Sequence, residues 1–463
     1  MDLTTYETLK NSFKGVINTS IKNSKTIEKK AKEPTSDILK IDIPLNYNCV
    51  PNVSIDTPYT ICVFDLDNTL LETDLFELER EKSKDNSLNI NDLIHKLNTY
   101  SYRVFFSEEF LLELRRCNPD IKFVVFTRST KLYAHTILSY IYSKFDWDLI
   151  VTREMVTSTK PSIEGLHLIM KTFNETDPRR LLMIGDSDID VLVAYYNNSI
   201  SLFTDWFVNK RKTEHWKAIN LLPDGILTEP NMLFDILKSG IKLLDLESRM
   251  DNSKEIGGRF GVVSHFFPIG FEPTYKNKPF NISVSGRYFS SVFSNKKLYH
   301  TVTRSILDNK ESKQFPKEWI ESLSNFVLDK VINPDTDTYK PTIVTVIPHR
   351  PNREPRLEFM LEQLSNFIKN EVGIHSIIFS QDLLKFKSGV LSQHNDRLDQ
   401  YHRFENIKEH LYVNKPELVK DSNIIVIDDV VTTGASLMYA SIYLKNAGAN
   451  GISLFALAQT ISK

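Results

Sequence analysis

The sequence predicts an α/β protein of two doubly wound domains, and three observations carry that prediction. Short continuous apolar runs alternate with helix-length segments: TICVFDLD, KFVVFTRS, DLIVTRE and RLLMIGDSD in the first half, then TIVTVIP (342–348), NIIVIDDVV (423–431) and SLFALAQ (453–459) in the second. Strands of this kind, separated by helices, indicate a parallel sheet covered on both faces. The runs of the first half each end in polar or acidic residues, and ligands bind at the carboxyl ends of such strands. Finally, 463 residues are too many for one core.

Taken in order, residues 1–57 are polar and lysine-rich, a helical extension followed by the linker KKAKEPTSD. The first domain is expected over 58–245. EEFLLELRRC is a helix, and the stretch 72–110 before it leaves room for a small cap over the strand ends. YAHTILSYI reads as an ordinary amphipathic helix with no chemical role. Glycine and charge gather in RMDNSKEIGGRFGVV, which places the boundary near residue 250, and the second domain is expected over 250–463.

Composition narrows the class of function. With 41% hydrophobic and 25% charged residues and a formal net charge of -2, the chain reads as globular and is not an expected nucleic-acid binder. Three cysteines (Cys49, Cys62, Cys117) are too scattered for a disulfide framework or a zinc site, and Cys62, inside an apolar run, reads as a buried thiol. No apolar stretch approaches the roughly 20 residues that span a bilayer, so no membrane partner is expected. The first residues, MDLTTYETLKNSFKG, have no signal-peptide pattern, and a cytoplasmic location is the expectation.

VFDLDNTL delivers Asp65, Asp67 and Thr69 to the end of an apolar strand. Acids at i and i+2 share a face of an extended chain, and a tight turn after the strand lets both converge on one ligand. One carboxylate can accept a phosphoryl group while its neighbour protonates the leaving oxygen and later activates water. Clustered carboxylates need a cation, and Mg²⁺ suits oxygen ligands beside a substrate phosphate. Three further signals follow in order: Thr127 after KFVVF, Lys160 before Pro161, and Asp186 and Asp190 in GDSDID.

On these motifs, residues 58–240 resemble the haloacid dehalogenase (HAD) superfamily. The resemblance implies a Rossmann-like domain with a small cap. It implies Asp65 as nucleophile, Asp67 as general acid and base, and Thr127 and Lys160 as phosphate binders. It also implies Asp65, Asp186 and Asp190 as acids of a magnesium site that Asp67 reaches through its backbone carbonyl. Asp188 is either a substitute ligand or a helix-capping residue.

The sharpest motif is IIVIDDVVTTGAS, residues 424–436. A loop bearing glycine and hydroxyls at a strand-to-helix junction turns N–H groups towards an anion, and adjacent acids accept hydrogen bonds from vicinal hydroxyls. Together they describe a ribose 5-phosphate site. The run resembles the phosphoribosyl pyrophosphate (PRPP) signature of type I phosphoribosyltransferases. That likeness implies Asp428 and Asp429 on the ribose hydroxyls and Thr432, Thr433, Gly434, Ala435 and Ser436 on the 5-phosphate. Arg350, Arg353 and Arg356 in IPHRPNREPR are the candidates for pyrophosphate, although this loop departs from the family's Arg-Gly-Phe-Asn pattern.

With Arg403-x-x-Asn406 and LKNAGANGISLFALA, residues 340–463 are similar to the ComF-like branch. The resemblance implies a core over 340–463 and a base-selecting hood over 255–335. Residues 384–405, with Ser388-Gly389, fit a mobile loop over the site. SGRYFSS (285–291) reads as surface loop rather than acceptor pocket.

The combined expectation is a bifunctional, Mg²⁺-dependent enzyme of nucleotide or nucleoside biosynthesis. Phosphoribosyl transfer between PRPP and a base, or its reverse, is coupled to hydrolysis of a phosphate monoester, the nucleotide or a related sugar phosphate. The alternative is a phosphatase regulated by a non-catalytic domain that senses PRPP or a nucleotide. The partners expected are these small molecules and, from the transferase resemblance, a second copy of the chain.

Overall fold

A computed structural model describes residues 59–206, 212–250, 258–266, 279–332, 340–391 and 399–462. The extension 1–57, Cys49 and the middle of the expected mobile loop lie outside the described residues. The chain divides into two compact units, Met1–Ile241 and Lys242–Lys463.

In the first unit the apolar runs become strands β1 (Ile61–Phe64), β2 (Lys122–Phe126), β3 (Leu149–Val151) and β4 (Leu181–Gly185). Strands β5 (Ile200–Thr204) and β6 (Gly225–Leu227), which the sequence reading did not single out, complete the sheet. All six are parallel in the order β3-β2-β1-β4-β5-β6. All four residues of β1 are buried, as its uninterrupted apolar sequence requires. The strand order reverses between β1 and β4, and the crevice at that point opens beyond their carboxyl ends.

Helices α1 (Glu77–Lys84) and α2 (Ile90–Thr99) form the small insertion after β1, and α3 (Glu108–Cys117) leads into β2. Helix α4 (Lys131–Ile141) buries Tyr133 to Leu138 in succession, so it is a core helix rather than an amphipathic surface one. Helices α5 (Glu164–Phe173), α6 (Asp188–Asn197), α7 (Lys212–Asn220) and α8 (Met232–Ser239) link the remaining strands or follow them. Cys62 and Cys117 are buried free thiols.

The second unit starts earlier than expected. Helix α9 (Asp245–Met250) places Leu246 in the second core, so the division falls at 241/242 and not near 250. Strands β7 (Gly261–Phe266), β8 (Phe280–Val284) and β9 (Arg287–Phe289) follow, then α10 (Ser294–Tyr299), α11 (Thr301–Asp308) and α12 (Lys317–Ile332). Next come β10 (Thr342–Val346), α13 (Arg356–Phe367), β11 (Ile378–Phe379), β12 (Leu384–Phe386), α14 (Gln400–His410) and β13 (Leu411–Val413). The chain closes with α15 (Pro416–Val419), β14 (Asn423–Val431), α16 (Ala435–Asn446) and β15 (Gly451–Ile461).

Seven strands form one sheet in the order β11-β10-β14-β15-β8-β7, with β9 also alongside β15. It is parallel except at the β7–β8 edge. The described residues of 255–335 therefore do not make a separate hood. Strands β7 to β9 extend the main sheet, and α12 buries Trp319, Leu323 and Phe326 in the same core as Phe455 of β15. SGRYFSS is not surface loop either: Ser285 and Arg287 are buried, and Arg287 makes a two-pronged ion pair with buried Glu247. Burial works against the Glu247 charge, but Arg287 and His300 hold its carboxyl below the usual range.

Candidate active site

The turn after β1 is shaped by Asn68, whose backbone adopts the left-handed conformation at φ 60°. Asparagine tolerates this because its short amide bonds locally. Here the Asn68 side chain accepts from the Thr73 N–H at 3.0 Å and donates to Asp74 at 3.1 Å. The tight turn leaves Asp65 and Asp67 at the mouth of the crevice. Across it, α6 starts with a capping box: the Asp190 carboxylate accepts from the Ser187 N–H at 3.2 Å and from its hydroxyl at 2.6 Å.

The two strand ends meet on one ammonium group. Lys160 Nζ donates to Asp65 Oδ1 at 2.5 Å and to Asp190 Oδ1 at 2.7 Å. All three side chains are buried, and the Lys160 ammonium lies 5.2 Å from the centre of the Phe126 ring. Glycine is required at 185, since a Cβ there would stand 2.3 Å from Asp190 Cγ. Thr69 Oγ1 reaches Asp186 Oδ1 at 3.4 Å. Oxygens of Asp65, Asp186 and Asp190 lie within 4.8 Å of one another, a hard-oxygen donor set that fits a divalent cation such as Mg²⁺.

Asp190 spends both oxygens on Lys160 and Ser187, so it fixes the lysine as well as adding charge. Asp188 is not part of the cluster; it is the first residue of α6, where an acid suits the helix dipole. Burial, opposed by Lys160 and reinforced by Asp190 and Asp67, pushes the Asp65 carboxyl up to about 7. Burial also weakens the Lys160 charge, yet Asp190 and Asp65 hold its pKa above the ordinary value, so it stays an ammonium.

Asp67 is held from three sides that the sequence reading missed. The Ser129 hydroxyl donates to its Oδ2 at 2.7 Å, the Tyr133 hydroxyl to its Oδ1 at 3.3 Å, and Arg80 Nη1 lies 3.6 Å away. Burial and Asp67 both raise the Tyr133 pKa, so this phenol is a donor. Tyr133 thus gives α4 a role that its sequence did not announce. Thr127 is buried at the end of β2, with its hydroxyl accepting from the Ser129 N–H at 3.0 Å and lying 3.5 Å from Asp67. One cavity of about 440 Å³ is lined by Asp65, Asp67, Thr127, Lys160, Asp186 and Asp190.

Residues 60–229 of this chain, a little over a third of it, match the family model described as NLI interacting factor-like phosphatase. This stretch of the chain is similar to that phosphatase family. The match ends before the second unit, and no curated protein matches the chain. Solved structures similar to it include a HAD-superfamily hydrolase of subfamily IA from Geobacter sulfurreducens, with 18% identity, 38% of this chain and 99% of that one covered, and a TM-score of 0.26. CbbY from Rhodobacter sphaeroides, solved with phosphate, shares 13% identity over 37% and 94% of the two chains at a TM-score of 0.28. A HAD-superfamily hydrolase from Ehrlichia chaffeensis shares 14% over 40% and 99%, with a TM-score of 0.29.

In the second unit the run 423–431 forms strand β14 over its whole expected length, acids included. Strand β14 continues to Val431, with Asp428 opposite Ala456 and Val431 opposite Gln459 of β15. Gly434 at φ 72° then starts α16, a conformation that favours glycine. A cavity of about 820 Å³ brings Asp428, Asp429 and Ser436 together with Arg350, Arg353 and Arg356. Thr432, Thr433 and Gly434 are not among its lining residues. Thr432 is exposed and bonded to Thr460 at 2.9 Å, and Ala435 is buried.

The Arg356 guanidinium pairs with the Asp429 carboxylate and lies 5.3 Å from the centre of the Phe315 ring. Withdrawal from solvent and the adjacent Asp429 push Asp428 well above the usual carboxylate range. His349 and Glu358, which no sequence motif marks, share the cavity wall. Glu358 Oε1 accepts from the His349 N–H at 2.8 Å and faces its Nδ1 at 2.8 Å. Arg403 and Asn406 lie on α14, where Asn406 is buried and ties down the backbone of Leu391 from both sides.

Proposed function

We propose that the chain is a bifunctional enzyme, hydrolysing phosphate monoesters in its first unit and transferring or releasing a ribose 5-phosphate group in its second. The observation that carries the phosphatase reading is the junction of Asp65, Asp190 and Lys160 at the point where the first sheet reverses its strand order. An Asp65 oxygen attacks phosphorus to form an aspartyl-phosphate as the ester oxygen leaves. Asp67, oriented by Ser129, Tyr133 and Arg80, gives the leaving oxygen its proton, then takes one from the water that releases phosphate. Lys160 and Thr127 offset the phosphoryl charge. Mg²⁺ bound by Asp65, Asp186 and the Asp67 carbonyl would supply further charge neutralisation.

The transferase reading is supported by the gathering of Asp428, Asp429, Ser436, Arg350 and Arg353 around one cavity. In it the two acids hold the ribose diol, the start of α16 holds the 5-phosphate, and the arginines hold pyrophosphate. Arg356 relinquishes Asp429 when the diol arrives.

Both readings are tested on the full chain with Mg²⁺. Asp65→Asn should abolish p-nitrophenyl phosphate hydrolysis, as should EDTA. With PRPP and a panel of bases, pyrophosphate should be released, and Asp429→Asn should suppress it. If product formation is sequential, Asp65→Asn accumulates a phosphorylated intermediate that Asp429→Asn never makes. PRPP binding without pyrophosphate release would replace transfer by sensing.

A further inference from the structure

The lining of the phosphatase crevice carries more cationic side chains than a single phosphoryl group employs. Besides the catalytic set, the cavity is lined by Glu77, Arg80, Glu81 and Lys84 from α1, by Arg128 and by Arg153. The α1 charges are mutually engaged: Arg80 with Glu77 at 3.8 Å and Asp67 at 3.6 Å, Lys84 with Glu81 at 2.6 Å. Arg128 and Arg153 are exposed and neither side chain has a hydrogen bond or close ion pair among the described residues, although, beside the Lys84 hydrogen bond, the Arg153 charge helps to lower the Glu81 carboxyl. The acid beside them, Glu154, is already bound to the Lys131 N–H at 2.8 Å and the Thr152 hydroxyl at 2.9 Å.

Their backbones locate these two guanidinium groups relative to the chemistry. Arg128 directly precedes Ser129, and the Arg153 N–H donates to the Ser129 carbonyl at 3.1 Å. Ser129 is also the residue whose hydroxyl holds Asp67 at 2.7 Å. Both arginines therefore spring from backbone beside Asp67, the acid that serves the leaving oxygen in the proposed reaction.

We infer that Arg128 and Arg153 form a second anion subsite, and that the preferred substrates are phosphate monoesters whose alcohol portion carries another anionic group, a carboxylate or a second phosphate. The inference rests on the phosphatase reading and deepens it. Guanidinium groups match both anions with paired N–H donors, and a partly enclosed mouth screens them less than open surface does.

The test compares esters of one skeleton with and without the extra charge, using the full chain and Mg²⁺: glycerol 3-phosphate against 3-phosphoglycerate, and fructose 6-phosphate against fructose 1,6-bisphosphate. The parent should favour the doubly anionic member of at least one pair by about tenfold in kcat/KM, mainly through KM and less at high salt. The pair that shows it tells carboxylate from phosphate. In the Arg128→Gln/Arg153→Gln double variant the ratio should fall towards one, and in Arg153→Glu below one. A ratio near one in the parent, or one that survives the double variant in a protein of unchanged circular dichroism, overturns the inference. Hydrolysis of every ester equally fast in Asp65→Asn overturns the phosphatase reading itself, and the subsite falls with it.

Discussion

Gly185 is the residue on which the geometry of the crevice turns most sharply. A methyl group there would fall 2.3 Å from Asp190 Cγ and 2.4 Å from its Oδ2, and Asp190 is what holds Lys160 against Asp65. Gly185→Ala should lower kcat/KM for p-nitrophenyl phosphate by about a hundredfold, the usual consequence of displacing a catalytic group by an ångström. Steady-state kinetics beside a thermal melt will separate this from unfolding. Asp65 supplies a second prediction. Its carboxyl is raised from 3.8 to about 7, so between those values the native state binds a proton that the unfolded chain does not. Through this group the metal-free protein loses stability as pH rises across that window, and Mg²⁺, which needs the ionised form, binds more tightly as pH climbs through 7. Calorimetric titration with Mg²⁺ from pH 6 to 8 will show the trend, and a fall in affinity with pH contradicts it. Asp65, Asp67, Thr127, Lys160, Asp186 and Asp190 were legible in the sequence because each stands at or near the end of an apolar run or beside a proline. Ser129, Tyr133 and Arg80 were not, because their meeting at Asp67 depends on how a turn, a core helix and the insertion fold together. The one local hint was Ser129, two residues beyond Thr127 on the same strand end.

At the level of elements, strands built on an apolar run were readable, even β3 with three residues, and strands without such a run were not. Strand β1 announces itself with four buried residues, whereas β6 has three residues and β9 alternates Arg287, Tyr288 and Phe289. The β9 segment looked like surface because its arginine and serines suggest solvent. The sequence does not show that Glu247, forty residues earlier, will meet Arg287 in the interior. Strand β14, by contrast, matches the run 423–431 residue for residue, acids included, because its pairing with β15 continues past Asp428 to Val431. Removing one partner of a buried ion pair leaves an unsatisfied charge, so Glu247→Gln should cost about 3–5 kcal/mol. Hydrogen exchange at residues 287–289 will report it as earlier opening of β9, and unchanged protection there would show that the pair contributes little.

For the whole molecule, among the described residues, each unit has its own hydrophobic core and its own large sheet, the two large sheets sharing no strand, and the second unit also carries the two-stranded β12–β13 sheet. Residues 60–229 of the first unit match a phosphatase family, and the second unit has a cavity that gathers Asp428, Asp429, Ser436 and three arginines. On the proposed scheme, tethering gives the phosphatase site a high effective concentration of the transferase product. Asp429→Asn should weaken PRPP binding by about tenfold or more, the loss of one charge-assisted hydrogen-bond acceptor, without changing p-nitrophenyl phosphate turnover. Calorimetry with PRPP and Mg²⁺ on the full chain measures the first part, and the colorimetric assay the second.

The central claim is that Asp65 accepts the phosphoryl group. Acid quenching during turnover of p-nitrophenyl phosphate, borohydride trapping and peptide mass spectrometry test it most directly. The account predicts a modified Asp65 in the parent and none in Asp65→Asn. A phosphoryl adduct on any other residue, or full turnover in Asp65→Asn, would contradict it.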